Sequence, residues 1–243
     1  MDSMSLAHQW SLVAVLLMAC VHVMAARLDR GPFARPQWLS IANGLSVAYV
    51  LVHLLPELAD MQSDWIKAWP DRPLRWLDRQ VYYAALIGLL LALGLERVTS
   101  RKARPEPTFW LHTSLFALYN LIVGGFALQI QRPSLLIFAT IGFGAHFFVT
   151  DHGLNRQHPR AYAHYGRWVL AGAILLGWIV AIATRPHVII VAALTGLLGG
   201  GMLLDVIKDE IPEKQEGQFA LFVVGALGYA SLLLIARYTI VND

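Results

Sequence analysis

His53 and Glu57 stand four residues apart in an otherwise apolar stretch. That spacing puts an imidazole and a carboxylate on one helix face, where the two could hold a divalent cation or its entering water between them. Pro56 lets the helix bend at that point. The alternative is a pair at the outer membrane interface, solvated or bonded to a neighbour. Asn120 is followed at the same interval by Gly124, which leaves space beside the amide for another helix or an ion. His146 and Thr150 share a face in the same way, whereas Asp151, five residues on from His146, is turned away by roughly 140°. A lone histidine such as His146 is equally read as bonded to another helix. The stretch from Asp151 to Arg160 adds His152 and His158, with His164 beyond it. Neutral imidazoles suit zinc and its neighbours, but this spacing matches no closed tetrahedral motif, and a solvated loop is the plainer expectation. Asp205, Asp209, Glu210 and Glu213 could attract cations or pair with Lys208 and Lys214.

The elements that must position these groups are membrane helices. Of 243 residues, 57% are hydrophobic and 14% charged, against roughly 25% charged in an ordinary soluble domain. Stretches of about 20 apolar residues, enough to cross a hydrocarbon core, recur eight times: Leu6 to Ala26, Gln37 to Met61, Gln80 to Ser100, Thr108 to Gln129, Pro133 to Thr150, His164 to Thr184, Pro186 to Ile207 and Gly217 to Tyr238. Proline with arginine or glycine punctuates the breaks, as at Arg35-Pro36, Arg104-Pro105, Arg132-Pro133 and Arg185-Pro186. The connections at Arg132 and Arg185 are so short that the fourth and fifth helices, and the sixth and seventh, are expected to be antiparallel neighbours. One transmembrane domain, residues 1–243, is the economical reading, and glycine pairs such as Gly124 and Gly125 mark close helix packing.

A polar or ionisable group within such helices is costly and needs a partner or a pathway. Asn43, His112 and Asp205 join the residues above on that ground. The net charge of +3 and pI near 9.1 do not point to nucleic acid, because the basic residues lie in short runs between apolar segments. With both termini outside, twelve lysines and arginines fall in inner loops and seven on the outer side, the bias that orients membrane helices. Cys20 is the only cysteine, so neither an intramolecular disulfide nor a cysteine cluster can form. The first segment follows a leader without a basic residue and is read as a retained helix rather than a signal peptide.

The ordered motifs resemble those of the ZIP family of divalent metal permeases. His53-Leu54-Leu55-Pro56-Glu57 is similar to the ending of that family's second helix. Leu91 to Arg97 resembles the third-helix ending, and Gly199 to Asp205 with Glu210 to Glu213 resembles the end of the seventh. The resemblance implies an eight-helix bundle with both termini outside, transition-metal substrates, and a transport centre on helices 4 and 5. There Asn120 and Gly124 match the fourth-helix pattern, but Tyr119 stands where the family has a histidine and Val123 where it has a carboxylate. On the fifth helix the family's ligands fall on His146, Phe147 and Thr150, with Asp151 as a substitute one position on. A binuclear centre cannot be rebuilt. A single site from Asn120, His146, Thr150 or Asp151, assisted by His53 and Glu57, is the expectation.

The resulting reading is a ZIP-like transporter or binder of a divalent transition metal, zinc first, in a plasma or bacterial inner membrane. It is not an enzyme and carries no prosthetic group; its partners are the metal ion and the bilayer, with a homodimer left open. Two alternatives remain at this stage: a diverged sensor, subunit or scaffold without transport, and an intramembrane zinc enzyme using His146, Asp151, His152 and His158.

Overall fold

A computed structural model of the chain describes residues 3–28, 36–69, 79–100, 105–205 and 216–242. They form helices and short connections, with no strand among the described residues. In chain order the helices are α1 (Ser3–Leu28), α2 (Pro36–Ala68), α3 (Gln80–Ser100), α4 (Pro105–Ala127), α5 (Pro133–Gln157), α6 (Pro159–Thr184), α7 (Val188–Asp205) and α8 (Glu216–Asn242). Six of them, α1, α2 and α4 to α7, are long and apolar enough to cross a membrane, while α3 and α8 contain shorter apolar stretches. The outer surface is itself apolar: Leu17, Leu91, Leu227 and Ile235 are all more than half exposed. Such a continuous apolar exterior belongs in lipid. Exposed Trp10, Trp38, Trp110 and Trp168 are of the kind that sits at headgroup level.

Two helices differ from their expected ends in ways that matter. The apolar run of α5 stops at Thr150, but the helix continues to Gln157, so Asp151 and His152 lie in a helix and not in a solvated loop. Helical hydrogen bonding does not need apolar side chains, and Leu154 is buried against Ala25 and Ala26 of α1. What stops α5 is Pro159, which bars its predecessor from helical geometry; His158 accordingly has φ −136°. Helix α6 then starts at once, well before His164. Helix α2 runs past Met61 to Ala68 and contains a wide π turn, Tyr49–Leu54, in which the Leu55 N–H donates to the Val50 carbonyl. Pro56 follows it directly. The proline ring removes one backbone donor and crowds the preceding turn, and a wider turn relieves that crowding.

Helix pairing is decided by glycine rather than by loop length. An added Cβ on Gly124 would overlap the Ile174 carbonyl of α6, and one on Gly177 would overlap the Leu121 carbonyl of α4. The same reciprocal relation joins α3 and α7 through Gly88 and Gly200, and α2 and α8 through Gly44 and Gly225. These three pairs, with α1 against α5 and α6, carry most of the interhelical packing. The expectation drawn from the short connections is therefore corrected. Helix α4 meets α5 only briefly, and α6 and α7 make no sustained contact. A tight turn fixes where two helix ends meet but not the faces they present. The main core, around Val15, Met18, Tyr49, Phe143, Phe147 and Ile174, lies where α1, α2, α5 and α6 converge.

Candidate functional site

The polar side chains with the most specific geometry meet between α1, α4 and α5, and their centre is His22. Its Nδ1 lies 2.7 Å from Asp151 Oδ2 and its Nε2 lies 2.7 Å from Asn120 Oδ1. All three residues are shut away from the surface, at 1%, 0% and 2% exposure for His22, Asp151 and Asn120. Asn120 is held in turn by its own helix, since its Nδ2 donates to the Phe116 carbonyl at 2.8 Å. From α6, the Tyr162 hydroxyl donates to the His22 backbone carbonyl at 3.1 Å. The Phe147 ring packs on the imidazole with centroids 4.6 Å apart.

Donor and acceptor counting fixes the protonation pattern of this array. The Phe116 carbonyl can only accept, so the amide must turn its NH2 toward it and its oxygen toward His22. An amide oxygen also only accepts, so Nε2 of His22 carries a proton. An ionised Asp151 accepts as well, and the 2.7 Å contact on the other side then needs a second proton, placed on Nδ1 or on the carboxyl itself. The site thus holds one proton more than a neutral imidazole beside a carboxylate would. Without that proton, lone pairs would face each other in a medium with little screening. Asp151 Oδ1, buried and without a hydrogen-bond partner among the described residues, leaves one acceptor position over.

The residues singled out from the sequence divide into two groups around Phe147. Asn120 and Asp151 are brought together, as the two ends of the His22 bridge. His146 is buried as well but points elsewhere: its ring packs on Tyr119 with centroids 5.6 Å apart, and on Phe147 at 6.2 Å. The rotation of Asp151 away from His146 is thus used to reach α1. Thr150 is half-buried. His53, at 3% exposure, is not solvated at an interface; it packs beside Tyr49, with ring centroids 5.3 Å apart. Glu57 is half-buried one turn further along, and Tyr49 lies within electrostatic reach of both Glu57 and Tyr119. His158, at the α5–α6 junction, sets its ring edge-on to Phe109. Among the described residues no three His, Cys, Asp or Glu side chains converge to hold a metal ion, so His146, Asp151, His152 and His158 do not share one zinc site. The acidic stretch 206–213 lies outside the described residues.

His22 is absent from the candidates drawn from the sequence. The signal was there, because an imidazole within the apolar stretch that ends the first helix carries the same cost as His146. Nothing in the spacing could have tied it to Asn120 and Asp151, which are 98 and 129 residues away. No protein-family model matches the chain, and no curated protein matches it in sequence.

Proposed function

We propose that this chain is a ZIP-like multi-pass membrane protein that moves or binds a divalent transition metal, zinc first, through the centre formed by His22, Asn120 and Asp151. The observation that carries this reading is the buried imidazole bridging an amide oxygen and a carboxylate from three different helices. On the Nδ1 side of the ring an imidazole nitrogen faces a carboxylate, a donor pair zinc accepts, and the spare Oδ1 of Asp151 adds a further position; the Asn120 oxygen lies across the ring at Nε2. His22 from α1 takes the part of the imidazole that the family resemblance places at Tyr119, and Asp151 that of the carboxylate missing at Val123. In this reading all eight helices cross a plasma or bacterial inner membrane and both termini lie outside. A dication at the contact between Nδ1 and Asp151 would displace the one proton held there, so the buried array would gain one positive charge rather than two.

The second reading, a transport-inactive sensor or scaffold, is favoured by the fact that both ring nitrogens and the amide of Asn120 are already engaged with one another. Zinc uptake by purified protein in liposomes separates the two. The wild type is expected to take up zinc saturably. Asp151→Asn, which removes the anion but can keep a hydrogen bond to Nδ1, is expected to lower uptake by roughly 10–100-fold, the scale of losing a supporting group at a metal site. A wild type that binds zinc without moving it would favour the sensor. Absence of both binding and uptake would remove the metal reading.

A further inference from the structure

Asn43, Ser46 and Tyr49 recur every three residues along α2, so they climb the same side of the helix. The amide oxygen of Asn43, the hydroxyl of Ser46 and the phenolic oxygen of Tyr49 are all buried, and none has a hydrogen-bond partner among the described residues. Ser46 and Tyr49 are wholly inaccessible. Several hydroxyls in the same bundle turn back onto their own backbone, as Ser40 donates to the Pro36 carbonyl and Thr140 to that of Leu136, whereas Thr113 in α4 stays unpaired among the described residues. Ser46 does not turn back either. Helix α5 also gives up a side chain to admit this stripe, since a Cβ on Gly142 would overlap the Tyr49 ring.

A buried polar atom with no partner costs about 1–3 kcal/mol, and three in succession are not retained unless something else completes their hydrogen bonds. Their chemistry narrows what that is. All three are neutral oxygens, carried on Cα positions that rise about 4.5 Å at each step. A metal ion held by neutral oxygens alone would keep its charge uncompensated in the interior. Water fits both the charge and the spacing, because each molecule can bridge two neighbouring groups and the next water. We propose that this side of α2 is lined by a file of bound water, which runs from Asn43 past Tyr49 to His53 and gives that buried imidazole a route for exchange. The π turn Tyr49–Leu54 begins where the file reaches Tyr49, and wide turns of this kind are frequent at functional sites. The inference concerns a different part of the bundle from the His22 centre and stands whether or not the protein handles metal.

X-ray hydroxyl-radical footprinting of the intact protein in detergent tests it, because radicals formed from bound water label the side chains beside that water. Phenylalanine and tyrosine react alike, and Phe109, which packs in a separate cluster, is as buried as Tyr49, so it serves as the internal dry reference. Tyr49 is expected to label several-fold faster than Phe109. Equal protection of the two rings would overturn the proposal. Ser46→Ala supplies an independent readout: it removes a bridging point of a hydrated file and should lower both the unfolding temperature and Tyr49 labelling. In a dry seam the same change deletes an orphaned hydroxyl and raises the unfolding temperature, which would equally overturn it.

Discussion

At the scale of single residues, the His22 array separates charge from hydrogen bonding. Asparagine at position 151 can donate to Nδ1 of a neutral His22 while Nε2 still donates to Asn120. Asp151→Asn is therefore expected to cost less than about 1.5 kcal/mol in thermal unfolding, the range of one ordinary hydrogen bond. His22→Ala leaves the Asp151 carboxylate buried without its partner and is expected to cost about 3–5 kcal/mol. If the two variants destabilise equally, the bridging proton assigned above is wrong. His158 gives a second residue-scale expectation. Partial burial at the α5–α6 junction lowers its pKa below 6.5, so the folded ring stays neutral at pH values where the unfolded one is protonated. The unfolded state then binds more protons as pH falls through about 6.5. The stability contributed by the neutral ring is complete above that value and is lost below it. His158→Gln should flatten this part of the pH profile, measured as the difference from wild type between about pH 7 and pH 5.

Among the helices, glycine position predicts tolerance. Gly124→Ala, Gly177→Ala and Gly200→Ala each drive a methyl into a facing backbone carbonyl and are expected to destabilise by about 1–3 kcal/mol. Gly172→Ala and Gly228→Ala meet nothing within 4 Å and should leave the unfolding temperature unchanged or slightly raised. Equal effects in the two sets would sink the account of the helix pairs. Much at this level was legible in the sequence. Apolar runs bounded by proline punctuation located the described helices, with the ends of α2 and α5 falling seven residues short, because the cost of unsatisfied backbone in lipid leaves few alternatives to helix. The partners of each helix were not legible. Gly88 and Gly200 mark faces that need close approach, but a glycine does not name the carbonyl it will meet. The tail of α5 was lost for a related reason: hydropathy reports where lipid ends, whereas Asp151 and Leu154 are buried against protein. The site was half legible, since Asn120 and Asp151 stood out as polar groups among apolar ones while the imidazole that joins them lies 98 and 129 residues away, where no spacing ties it to either.

For the whole molecule, orientation is open to direct measurement. In a Cys20→Ala background, Gln131→Cys before α5 and Gln157→Cys at its end should react with a membrane-impermeant maleimide from opposite sides, Gln131→Cys from outside. Labelling of both from one side would contradict the crossing assigned to α5, and the reverse sidedness would contradict the placement of the termini. The pairing pattern also bears on how the bundle is made. The faces of α2 and α3 that carry Gly44 and Gly88 close on α8 and α7, which leave the ribosome well after them. At roughly 5–20 residues per second, the early helices wait on the order of ten seconds for their seams to be covered. The main seams are not hairpins between neighbouring segments, so a chain stalled before α7 would present the uncovered faces around Gly44 and Gly88 to the bilayer, a ready mark for membrane quality control.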